Sequence, residues 1–87
     1  MTNREICVEL IKLLLKIESD GGLLRTVLAD GNTGDDYLAF CSMKVAQNQE
    51  KAIDGNRLHI FIEMAIITYL TEYSEEERKE VIREAKE

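Results

Sequence analysis

Residues Arg57 to Tyr73 read RLHIFIEMAIITYLTEY, and this stretch decides the fold. At about 100° per residue, Leu58, Phe61, Ile62, Ala65, Ile66, Tyr69 and Tyr73 form one apolar stripe, while Ile60, Met64, Ile67 and Leu70 point largely the other way. Isoleucine favours strands, yet the length of the run and its helical spacing predict a helix. A helix apolar on two opposite faces is expected to be a strut covered on both sides, which one small domain rarely needs.

Working back towards the N-terminus, Asp54 and Gly55 stop the preceding element, and Asn56 is the expected cap of the strut. A helix is predicted from Asp35 or Asp36 to Ile53, with Leu38, Cys41, Val45, Ala52 and Ile53 facing inward. The turn joining it to the strut is short, so the two should be neighbours in space. Before it lies Asp30 to Asp36, DGNTGDD, an irregular loop whose position makes it a candidate for recognition. Leu23 to Ala29 is too short to separate helix from strand by period, and the lack of a partner strand favours helix.

The first helix is expected to start at a capping box, Thr2 with Glu5, and to run to about Glu18, where Ser19 to Gly22 breaks it. Glu5, Glu9, Lys12 and Lys16 occupy one narrow strip of its surface, and apolar residues cover the rest. Beyond the strut, Ser74 and Glu77 repeat the capping-box pattern. The helix they start, Glu75 to Glu87, alternates acids with Arg78, Lys79, Arg83 and Lys86 around only Val81, Ile82 and Ala85, which predicts a mostly solvated helix docked by a thin edge. With no proline, repeat or low-complexity linker, residues 1–87 are expected to form a single all-α domain, a bundle of four to five helices that completes its core by self-association.

Composition narrows the function classes. The chain has 87 residues, of which 45% are hydrophobic and 32% charged, so neither disorder nor a membrane protein is implied. Seventeen acidic against eleven basic side chains leave a formal charge of −6, which disfavours attraction to phosphate or anionic lipid. Charges at Glu5, Glu9, Lys12 and Lys16 interrupt the apolar run that a signal peptide or spanning helix requires, and a cytoplasmic location is expected. Cys7 and Cys41 sit among apolar neighbours and read as free, buried thiols.

Motifs that would carry chemistry fail on inspection. The loop Asp30 to Asp36 begins like a calcium-binding loop, but its third ligand position is Gly34, its glycine position is Asp35 and its twelfth position is Cys41. Two widely spaced cysteines and one histidine do not make a zinc site. Gly21-Gly22 lacks the Lys-Ser/Thr of a phosphate loop, and a helix-turn-helix reading puts acids where DNA would lie. The Tyr-Tyr-Pro stretch of colicin immunity proteins and the Asp-Ser-Leu attachment site of acyl carrier proteins are both missing, as is the histidine phosphotransfer pattern, because His59 is followed by Ile60-Phe61-Ile62.

The expected function is therefore a non-catalytic, acidic helical module that binds another protein as a regulator, inhibitor or adaptor, without cofactor or metal. A homodimer is expected, with Val8, Ile11 and Leu15 meeting Ile60, Met64, Ile67 and Leu70 between chains. Two alternatives compete with it. One is an acidic decoy that imitates nucleic acid for a DNA- or RNA-binding protein. The other is a small enzyme in which His59 and Glu63, one helical turn apart, do acid–base work with Cys41 as a possible nucleophile.

Overall fold

Thr2 and Ser74 each begin a helix by the same local device, visible in a computed structural model that covers Met1 to Glu87. The Thr2 hydroxyl accepts from the Glu5 N–H at 3.1 Å while Glu5 accepts from the Thr2 N–H at 3.0 Å. Ser74 and Glu77 repeat the reciprocal pair at 3.3 and 3.4 Å. Each box satisfies two backbone donors that a helix start otherwise leaves open.

Six helices follow in order: α1 Asn3–Ile17, α2 Arg25–Leu28 preceded by a tight 3₁₀ turn Gly22–Leu24, α3 Asp35–Gln47, α4 Gln49–Asp54, α5 His59–Thr71 and α6 Glu75–Lys86. Together with the 3₁₀ turn they hold 76% of the residues, and there is no strand. The all-α class is thus as the sequence implied, and of Leu23 to Ala29 all but the last residue is helical. No helix is long and apolar enough to cross a membrane.

α1 lies against both α5 and α6, and α3 and α4 lie on α5, so α5 is the element on which the others are assembled. The core between them contains Ile11 and Leu14 from α1, Leu24, Val27 and Leu28 from the second segment, Leu38 and Val45 from α3, Ile66 and Leu70 from α5, and Val81 from α6. Both cysteines are free and buried.

Three local expectations need correction. The predicted helix from Asp35 to Ile53 is two helices, broken at Asn48, whose side-chain amide donates to the Lys44 carbonyl at 2.8 Å. That bond occupies an acceptor of the helix ladder and re-phases the chain, as asparagine side chains do when they compete with backbone. Ala52 consequently stays inside while Ile53 is 73% exposed. Asn56 does not cap α5 through its side chain; it takes a left-handed conformation, φ 54°, and Leu58 sits at the cap position without a side-chain bond.

The third correction concerns the strut. Ile60, Glu63, Ile66, Ile67 and Leu70 form its buried face, an arc of about 120° on the helical wheel. The opposite side is covered only in part: Leu58 is 62% and Phe61 43% exposed. Ile62, Met64, Ala65 and Tyr69 are half-buried on the flanks. Apolar character on both faces therefore does not translate into burial on both faces.

Candidate functional site

Glu63 is the one acidic side chain buried in the core. Its position three residues after Ile60 and four before Ile67 puts it on the core face of α5, where it is fully buried. One carboxylate oxygen, Oε2, accepts from the Leu23 N–H at 2.7 Å and so holds the 3₁₀ turn against α5. The other, Oε1, has no hydrogen-bond partner. Gly22 lies alongside with φ +59°, and a Cβ added there would stand 3.0 Å from Oε2, so glycine is required both by the backbone and by the approach of the carboxylate.

Burial pushes the Glu63 carboxyl above the usual carboxylate range, opposed by the Leu23 hydrogen bond and by His59, and reinforced by Glu18. A proton is therefore held by the folded chain at pH values where the unfolded chain has released it, and stability falls as pH rises from about 4.5 to the raised folded value. Glu63→Gln keeps an acceptor for Leu23 and cannot ionise. Its stability relative to wild type is expected to increase steadily over that interval and then level off, measured by urea unfolding at a series of pH values. A constant difference between the two proteins across the series would remove Glu63 as the titrating group.

His59, the other residue of the enzyme alternative, acts on Glu63 through its charge and also faces Glu18. Its Nε2 is 3.9 Å from Glu18 Oε1 at the end of α1, an ion pair only when the imidazole is protonated. Cys41 is buried, and burial raises its thiol with Lys44 a smaller, opposing influence, so it is not a poised thiolate. Cys7 is held at about 11 by burial alone. None of His59, Glu63 and Cys41 lines the surface clefts beside α6, along α1, before α3 or after α4.

Arg78 is a site residue that the charge pattern of α6 concealed. It stands on the same stripe as Val81, Ile82 and Ala85, and it is buried with them. Its Nε donates to the Leu70 carbonyl at 2.8 Å, and its Nη1 donates to the Thr33 carbonyl at 2.9 Å and to Asp35 Oδ1 at 2.7 Å. One guanidinium thus joins the end of α5, the loop before α3 and the start of α6. It ties Asp35, the first residue of α3, to α6, whose first turn carries Glu75, Glu76 and Glu77.

The same loop borders a cleft of about 440 Å³ against α6. Val27, Leu28 and Ile82 line it together with Lys79, Arg83 and Lys86, and Asp30 and Glu87 share the rim. Lys86 is engaged there with the Leu28 carbonyl. Thr33, also at this cleft, is buried with its hydroxyl unpaired.

The residues expected at a chain–chain interface are mostly accounted for within one chain. Val8, Ile11, Ile60, Ile67 and Leu70 are buried in the core, and only Leu15 and Met64 of that set retain part of their surface. These positions belong to the two helices with the largest apolar excess, and the single chain already covers the first five. Large apolar side chains left open are Leu13 and Ile17 on α1, Phe40 and Met43 on α3, Ile53 on α4, and Leu58 and Phe61 at α5. Phe40 is screened in part by Tyr37, 5.8 Å between ring centroids, and by Lys44, 5.9 Å from the ring.

No protein-family model matches the chain, and no curated protein or solved structure is detectably similar to it.

Proposed function

We propose that this chain is a non-catalytic protein-binding module that recognises a basic partner through its acidic edge and works as a self-associating unit. The supporting observation is the Arg78 clamp, which ties Asp35 at the acidic start of α3 to α6, whose first turn carries Glu75 to Glu77. Rigid placement lowers the ordering cost of recognition, and a concentrated negative field speeds encounter with a positive partner.

The reading is tested by capture from the native host with wild-type protein and with Asp36→Lys/Glu76→Lys. Both positions are exposed, so the variant should keep its helical circular dichroism. Proteins recovered by wild type and lost by the variant are expected, together with release by moderate salt. Equal recovery by both would exclude the acidic edge as the recognition surface. Release of the partner by a short oligonucleotide would instead favour the nucleic-acid-mimicking decoy.

A further inference from the structure

The uncovered apolar surface of α1 has an ordered pattern. Ile6, Leu10, Leu13 and Ile17 follow one another at spacings of four, three and four residues, the spacing of a coiled-coil seam. The helix turns its other apolar face, Cys7, Val8, Ile11 and Leu14, into the core. Along the seam, Ile6 and Leu10 are half-buried, and Leu13 and Ile17 are 45% and 48% exposed. A depression of about 380 Å³ follows Ile6, Leu10 and Leu13 with Met1 at its end, and all of its walls come from this N-terminal segment. The seam therefore lacks an opposing wall within the chain.

Charge beside the seam indicates what supplies that wall. The strip flanking it carries Glu5 and Glu9 in the N-terminal half of α1 and Lys12 and Lys16 in the C-terminal half. Lys12 already meets Glu9 at 3.7 Å within the chain, an exposed pair of little strength. Such a helix is complementary to itself when reversed. A two-fold axis that places Leu10 opposite Leu13 of a second copy also places Ile6 opposite Ile17 of that copy. In the same arrangement Glu9 approaches Lys16 of the second copy, and Lys16 approaches its Glu9. A parallel pairing would set the acidic halves side by side and the basic halves side by side.

We infer that α1 is a self-docking surface: two copies of the chain pair antiparallel through Ile6, Leu10, Leu13 and Ile17, with Glu9 and Lys16 setting the direction. The inference rests on the self-association in the proposed function and assigns its surface. It relocates the interface from the core residues of α5 to the outer flank of α1. A closed two-fold contact of this kind uses the same patch on both copies and stops at the dimer. The seam is about 16 Å long at 1.5 Å per residue, so the contact lies at the small end of interface sizes and the dissociation constant is expected at about 10–100 μM.

The experiment is sedimentation velocity over a concentration series reaching about 0.5 mM, with far-ultraviolet circular dichroism to confirm that each variant is folded. Wild type is expected to dimerise and Leu13→Glu to stay monomeric with unchanged helical signal. Glu9→Lys and Lys16→Glu alone should each weaken the dimer by about tenfold, from two disrupted pairs per dimer. The double reversal Glu9→Lys/Lys16→Glu should return to within about threefold of wild type, because it restores the same two pairs with signs exchanged. Wild type monomeric at about 0.5 mM overturns self-association altogether. A dimer indifferent to Leu13→Glu overturns this surface and leaves self-association standing elsewhere. Single reversals that weaken the dimer without rescue by the double overturn the antiparallel direction.

Discussion

Arg78→Ala is expected to lower the unfolding free energy by about 3–4 kcal/mol, measured by urea titration followed by circular dichroism. A hydrogen bond from a charged donor is worth about 1.5–3 kcal/mol, and the guanidinium makes two such bonds to carbonyls, those of Leu70 and Thr33. Their loss is unequal. The Leu70 carbonyl also accepts from the Tyr73 N–H at 3.1 Å and keeps one partner, whereas Thr33 is buried and depends on Arg78. The aliphatic stem adds packing against the core that alanine does not replace. Asp35→Asn is the contrasting case: its carboxylate is exposed, and about 1 kcal/mol or less is expected. Arg78→Lys should recover less than half of the loss, since one ammonium cannot reproduce a fork that reaches two elements at once. A loss below about 1 kcal/mol for Arg78→Ala would mean that the clamp does not hold the acidic corner together.

Much of this architecture is written locally. The two capping boxes, the glycine break after α1 and the helical spacing of residues 57–73 are short-range features, and the chain folds by them. What escaped depends on which element lies opposite. Arg78 shares a stripe with Val81, Ile82 and Ala85, and Glu63 stands between Ile60 and Ile67, so position alone marked both as inward-facing. Their charge suggested solvent instead, and only the carbonyls of Leu70 and Thr33 and the N–H of Leu23 make their burial tolerable. None of those partners can be read from the local pattern. The break at Asn48 was hidden because its neighbours are good helix formers and a single side-chain bond decides the phase.

The surplus of apolar surface is a different matter. Two helices, α1 and α5, are apolar over more of their circumference than one face requires, and periodicity shows that excess without showing which face the fold covers. The fold divides it. α5 commits Ile60, Ile66, Ile67 and Leu70 to the core and leaves Leu58 and Phe61 outside. α1 commits Cys7, Val8, Ile11 and Leu14 and leaves the seam from Ile6 to Ile17. The residues with the strongest apolar character are thus the ones a folded monomer uses first.

That division separates substitutions which the sequence alone makes equivalent. Glutamate at Met64 or at Ile67 would, on an interface reading, dissociate an assembly and spare the helices. Ile67 is instead enclosed by the chain's own core, so Ile67→Glu is expected to unfold the protein at neutral pH. Removing the buried side chain forfeits about 2–3 kcal/mol of apolar burial, and placing an unpaired carboxyl there costs several kcal/mol more. The sum reaches the whole stability of a small domain, about 5 kcal/mol. Because burial disfavours the ionised form, helical signal should return in part as pH is lowered towards 5, before general acid unfolding intervenes. Met64 is only half-buried, and Met64→Glu should cost about 1–2 kcal/mol and leave the fold intact. Leu13→Glu, on the open seam, should change association and little else. Circular dichroism at neutral pH arranges the three in order of burial, with Ile67→Glu alone losing its helices. If that variant melts like wild type, the face of α5 placed against α1 and α3 is not the core, and the assignment of the α1 seam as the free surface fails with it.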